Sequence, residues 1–131
     1  MPLAPTPVEL IARARGDLRM GVPVVLATGG QAALVAAVET LGASRLAGLR
    51  RIGRPELAIT ARRAETLKAR AYDGDLARLM VPGDAGMAWL RAMADPVDDL
   101  AVPMKGPFTA LRDGPADLHR TGLALAKAAH L

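Results

Sequence analysis

Read for the spacing of its apolar positions, the chain alternates short helices with short strands. Thr6-Pro7-Val8-Glu9 has the form of a capping box with proline at the first helical position. A helix is therefore predicted from there to a stop at Gly21, burying Leu10, Ile11, Ala14 and Leu18. Pro23 to Ala27 reads as a buried strand and Ala33 to Val38 as a second, although the alanines of the latter also fit a helix. Ser44 is placed to cap a helix that turns Leu46, Leu49 and Ile52 inward and ends at Gly53 and Pro55.

The second half repeats the alternation. Glu56 to Ile59 predicts a strand, and Thr60 caps a helix from Ala61 to about Ala71 whose inner stripe is Ala64, Leu67 and Ala71. A strand near Ala77 to Val81 ends at Pro82-Gly83. Asp84 then caps a helix with Trp89, Leu90 and Met93 inward, closed by Asp95-Pro96. Residues 95 to 115 hold four prolines, which predicts a long loop with one short extended piece. A final helix, Ala116 to His130, buries Leu118, Gly122, Leu125 and Ala129. The fold class expected is α/β (α+β): a layered mixed sheet flanked by helices.

Composition narrows this picture. A chain of 131 residues, 51% hydrophobic and 23% charged, fits one domain with a single core. One Trp, one Tyr and one Phe leave the core to aliphatic side chains and offer no platform for stacking bases. Without cysteine there is no disulfide, thiol nucleophile or Cys-based zinc site. The opening MPLAPTPVEL lacks the pattern of a signal peptide, and no apolar run approaches the roughly 18 residues of a membrane span, which implies a soluble, cytoplasmic protein.

The net charge of +4 is unevenly spread. Between Arg45 and Arg70 eight basic residues face two acidic ones, whereas from Asp73 to Asp99 six aspartates face two arginines. The basic run suits either a surface for phosphates or nucleic acid, or solvated helix faces with intramolecular or subunit complementarity; without aromatics or a binding motif the second is favoured.

Candidate chemistry is sparse. There is no Walker loop, dinucleotide fingerprint or HExxH, and Gly29-Gly30 alone reads as a turn. His119 and His130 stand eleven residues apart on one predicted helix, about 16 Å at a rise of about 1.5 Å per residue, too far to share a metal. Lys105, in PMKGPF, is a candidate contact for an anion, against the plainer reading of a solvated loop lysine. Asp98 and Asp99 form a carboxylate pair that suits a divalent cation or, more simply, a turn.

The order of the pieces resembles 3,4-dihydroxy-2-butanone 4-phosphate synthase of riboflavin biosynthesis. DLRMGVPVVL is similar to that family's opening helix and strand, LVAAVE to its second strand, LAITARRAETLKA to a segment of the type LALTPERAERLGL, and LALAKAAHL to the helix VDLARLAGL. RARGDLRMGVPVVL, LAITARRAETLKARAYDGDLARL and DDLAVPMKGPF resemble more closely the N-terminal domain that precedes GTP cyclohydrolase II in some bacteria, itself similar to a degenerate copy of the synthase. The resemblance implies a synthase-like layered domain forming the N-terminal part of a longer chain. It also implies a homodimer, with the downstream GTP cyclohydrolase II domain as partner and zinc residing there, not here.

Where the synthase family has an acidic loop of the type DDEDRENEGD, which holds magnesium and supplies acid and base groups, this chain has Ala27, Thr28, Gly29, Gly30, Gln31, Ala32 and Ala33. Enolisation needs a base and a hard cation needs oxygen ligands, so no catalytic residue and no metal ligand is carried over. Where the family has GHTEA, this chain reads DLHRT. Ungapped alignment from the tail sets Leu118 at the family's His, and a one-residue slip restores His119 but leaves Arg120 and Thr121 in place of the Thr and Glu. Lys105 falls near the His of the family's RPGH loop. The resemblance thus leaves Lys105, His119 and Arg120 as candidate ligand-binding residues of a catalytically silent domain. The alternatives are an active synthase using magnesium through Asp98, Asp99 and His119, and a small nucleic-acid-binding module using the basic run.

Overall fold

A computed structural model describes residues 3–96, 108–111 and 114–131. In chain order the elements are α1 (Pro7–Arg19), β1 (Val24–Thr28), β2 (Gln31–Val35), α2 (Ala43–Ile52), β3 (Glu56–Thr60), α3 (Ala61–Leu67), β4 (Leu76–Met80), α4 (Met87–Ala94), β5 (Ala110–Leu111) and α5 (Asp117–Ala128). The chain is a mixed α/β protein, as its alternation suggests, but the single layered mixed sheet expected from sequence is replaced by two small antiparallel sheets. One is the hairpin β1-β2 and the other is β3-β4-β5.

The strand-helix-strand order of β3, α3 and β4 would suit a parallel crossover, yet the strands run antiparallel, with Leu57 opposite Leu79 and Ile59 opposite Ala77. The Ala61 amide donates to the Asp75 carbonyl at 3.0 Å, holding the end of β3 beside the start of β4. α3 is thus an excursion from a wide hairpin. Its length is set by Lys68, which takes a left-handed conformation (φ 60°) and stops the helix at Leu67, short of the predicted Ala71. The Ala69 amide then donates to Ala64 O at 2.8 Å, the long bond of a Schellman turn.

Two caps read from sequence are in place. Thr6 Oγ1 accepts from the Glu9 amide at 3.2 Å while Glu9 Oε1 accepts from the Thr6 amide at 2.9 Å, and Thr60 Oγ1 accepts from the Arg63 amide at 3.2 Å. Two others are corrected: α2 is entered from Gly42 and not capped by Ser44, and α4 from Gly86 and not by Asp84, in both cases with no side-chain cap. The extended backbone at each glycine turns the chain into the helix without a side-chain acceptor.

Burial is unequal between the sheets. Leu57, Ile59, Ala77 and Leu79 share one face of β3-β4 and join Leu46 of α2, Ala64 and Leu67 of α3, and Met87, Leu90 and Met93 of α4 in the main core. A smaller cluster of Leu18, Val24 and Ala37 lies where α1 and the hairpin meet α5, backed by Ala14, Leu26, Val35 and Leu125. Leu10 and Ile11, expected in the buried stripe of α1, are 51% and 52% exposed, and Ile52 at the end of α2 is 73% exposed. The stripe of α1 is covered only toward its C-terminal end, at Ala14 and Leu18. In α5, Leu118 and Leu125 are half-buried, while Gly122 and the following Ala129 are buried.

Candidate functional site: a charged cluster at the start of α5

α5 contacts the hairpin on one side and β3 on the other, and its first turn places two of the three candidate residues against the second sheet. His119 Nε2 lies 2.8 Å from Glu56 Oε1 on β3. The other ring nitrogen, Nδ1, is enclosed and has no hydrogen-bond partner among the described residues. Arg120, one position on and so turned by about 100°, reaches the turn before β4. Its Nε and Nη2 donate to the two Asp75 carboxylate oxygens at 2.6 and 2.8 Å, and Nη1 stands 3.5 Å from Asp117 Oδ1.

This bidentate pairing holds the Asp75 carboxyl below its ordinary range, chiefly through the hydrogen bonds from Arg120 and to a lesser extent through its charge. The same hydrogen bonds raise Arg120 and keep it cationic.

A second guanidinium pairs with the same turn. Arg78, on the face of β4 opposite the main core, has a side chain only 4% exposed. It donates to both oxygens of Asp73 at 2.9 and 3.2 Å and to the Gly114 carbonyl at 3.3 Å. A buried arginine is tolerated only when its donors are met, and Asp73, two residues before Asp75 in the same turn, meets them. Sequence reading passed over Asp73, Asp75, Arg78 and Glu56. The signal available was Arg78 itself, one cation inside the apolar strand LARLM, which demands a partner within reach.

As a ligand site the cluster is closed upon itself. Arg120 would have to leave Asp75 to bind a phosphate, and His119 is occupied by Glu56. Lys105, Asp98 and Asp99 lie outside the described residues. His130 sits past the end of α5, in left-handed conformation (φ 62°). Among the described residues no three His, Asp or Glu side chains are grouped to hold a metal ion, and no helix is long and apolar enough to cross a membrane.

The segment where the resemblance places an acidic loop is a tight turn. Thr28 pairs with Gln31, leaving only Gly29 and Gly30 between the strands, both with positive φ (52° and 83°) as a two-residue hairpin turn requires. The second strand therefore starts at Gln31, not at Ala33 as predicted, and most of the supposed loop is paired strand. Ala27 to Ala32 are exposed and none carries a carboxylate.

Three of the eight basic residues of the run donate to carbonyl oxygens, while Arg51, Arg54, Arg62, Lys68 and Arg70 are exposed. Arg63 donates to Met93 O at 2.7 Å and Ala92 O at 2.9 Å at the end of α4, Arg50 to Pro82 O at 3.0 Å and Ala85 O at 2.6 Å, and Arg45 to Met20 O at 3.3 Å. Comparison of the chain with protein-family models, curated proteins and solved structures finds no match in any of the three.

Proposed function

We propose that the chain is a catalytically silent, synthase-like N-terminal domain of a riboflavin-biosynthesis GTP cyclohydrolase II protein, with a structural or regulatory role toward the downstream cyclohydrolase domain and toward a second copy of itself. The observation that carries this reading is the β1-β2 connection. The synthase reaction needs a base and oxygen ligands for magnesium there, and two glycines in a tight turn supply neither. The engagement of His119 by Glu56 and of Arg120 by Asp75 points the same way, since both candidate ligand groups are used internally. Zinc, in this reading, belongs to the cyclohydrolase domain.

The nucleic-acid alternative loses Arg45, Arg50 and Arg63, whose guanidinium groups are turned to backbone carbonyls, and has one Trp, one Tyr and one Phe to stack on bases, although the other five basic residues of the run are exposed. The active-synthase alternative is tested directly by formate release from ribulose 5-phosphate with magnesium, using this chain at high concentration. The expected result is no release above a no-protein control. Release that a chelator abolishes would overturn the proposal and place the ligands elsewhere.

A further inference from the structure

The turn before β4 that supplies both carboxylate partners also contains the pair Asp73-Gly74. Aspartate followed by glycine is the pair most open to backbone isomerisation, because no side chain shields the following nitrogen. The chain has no asparagine, and among the described aspartates only Asp73 precedes a glycine. Asp17, Asp75 and Asp117 precede leucine, Asp84 precedes alanine, and Asp95 precedes Pro96, which has no N–H. Gly74 is exposed, and open space lies where a Cβ would stand, so water reaches the peptide.

The reaction is an intramolecular dehydration followed by hydrolysis. In the acid form of Asp73 the Gly74 nitrogen attacks Cγ, a C–N bond replaces a C–O bond, and the hydroxyl leaves with the amide proton as water. The product is a five-membered succinimide. Water then opens that ring at either carbonyl, returning aspartate or giving isoaspartate, in which the main chain runs through Cβ.

The folded turn opposes ring closure at both reacting groups. Arg78 donates to Oδ2 and Oδ1 of Asp73 at 2.9 and 3.2 Å, which leaves neither oxygen free to turn away as the departing hydroxyl. The Gly74 N–H donates to the Ala71 carbonyl at 3.0 Å, and the nitrogen cannot attack until that bond is broken. The Asp73 side chain is only 13% exposed and that of Arg78 4%, so the clamp is well shielded from competing water.

We propose that Asp73-Gly74 is a covalent modification site, a backbone-isomerisation switch that the Arg78 clamp keeps closed in the folded chain and that local opening of the turn exposes. Once formed, isoaspartate adds a methylene to the main chain and carries its carboxylate one methylene shorter. Arg78 then loses both oxygens that meet its buried guanidinium, and Asp75, two residues on, is displaced from Arg120. The modified turn therefore stays open, and the join between α5 and the second sheet is weakened.

The test is incubation of the whole chain at mildly alkaline pH and physiological temperature, native and in concentrated guanidinium chloride. Isoaspartate is read by chromatography and electron-transfer fragmentation of the tryptic peptides carrying Asp73 and Asp113. In denaturant Asp113-Gly114, the second such pair in the sequence, supplies the rate of an unconstrained site. Asp73 should match it there and isomerise about tenfold or more slowly in the native chain. Arg78→Lys keeps a cation and the same tryptic boundaries but loses the two-pronged bond, and should raise the native Asp73 rate about fivefold with an unchanged far-UV circular dichroism spectrum. The purified isoaspartyl form should unfold at lower denaturant than the parent. Native and denatured chains isomerising Asp73 equally, no isoaspartate at Asp73 in denaturant, or a folded Arg78→Lys chain with the parent rate would each overturn the proposal. Should Arg78→Lys fail to fold, the native-to-denatured ratio still decides. None of these results bears on formate release, so the site stands or falls separately from the silent-domain proposal.

Discussion

Lys68 shows how a single residue can set the length of an element against its own preference. A left-handed conformation brings the Cβ of any L-residue close to the following carbonyl, at a cost of about 1 kcal/mol or more. Lys68 adopts it because the turn it makes lets the Ala69 amide reach Ala64 O and swings the chain back toward β4. Glycine would make the same turn without the steric cost, and Lys68 is exposed, so little packing is lost. Lys68→Gly should raise unfolding stability by about 0.5–1 kcal/mol, partly offset by the greater freedom of glycine in the unfolded chain. Urea denaturation at fixed pH measures this, and a lower midpoint would mean that the lysine side chain contributes contacts outweighing the strain. Gly21 is the converse case. Its φ is +76° and a Cβ there would collide with the Thr40 carbonyl, so Gly21→Ala should cost about 2 kcal/mol or more in the same assay.

At the scale of elements, the join between α5 and the second sheet depends on carboxylates, and its pH dependence has a definite sign. Asp75 is held below its ordinary range in the folded chain by hydrogen bonds from Arg120. A depressed folded value means that the pairing contributes fully above the unfolded value and is lost as pH falls through the folded one. The stability difference between the natural chain and Asp75→Asn should thus be steady near neutrality and shrink below about pH 4. Parallel urea titrations from neutral to acid pH follow it. A difference that grows on acidification would contradict the assignment. Glu9 titrates in the same direction through its bonds to Thr6, but it is common to both proteins and cancels from the comparison.

This join is also where sequence reading stopped. Local signals such as the Thr6 and Thr60 caps, the alternation of β3 and the Gly29-Gly30 turn were legible because each depends on neighbours within a few positions. The His119 to Glu56 contact spans 63 positions and the Arg120 to Asp75 contact 45, and periodicity carries no information about such pairings. The same limit explains the missed sheet arrangement. Strand-helix-strand order is compatible with both a crossover and a wide hairpin, and the choice is made by Lys68 and by the long-range pairing of β3 with β4.

Across the whole molecule the two apolar clusters imply unequal local stability. The main core gathers eleven buried residues from β3, β4, three helices and the segment before α2, whereas the cluster under the hairpin has three. Among the described residues, seven of the ten large apolar side chains left exposed belong to residues 3–34, including Val8 at 76% and Met20 at 67%. Local opening is cheapest where few apolar contacts are broken, and the first turns of α1 and the hairpin should open well below the free energy of global unfolding. Native-state hydrogen exchange at low micromolar concentration should find the amides of Leu57, Ile59 and Leu79 slowest and those of the β1-β2 ladder faster by at least tenfold. Equal protection of both sheets in dilute solution would mean instead that α5, which packs on both, couples them into one cooperative unit. The Glu56, His119, Asp75 and Arg120 contacts would then be the means of that coupling, and His119→Ala or Arg120→Ala should separate the two sheets' exchange rates.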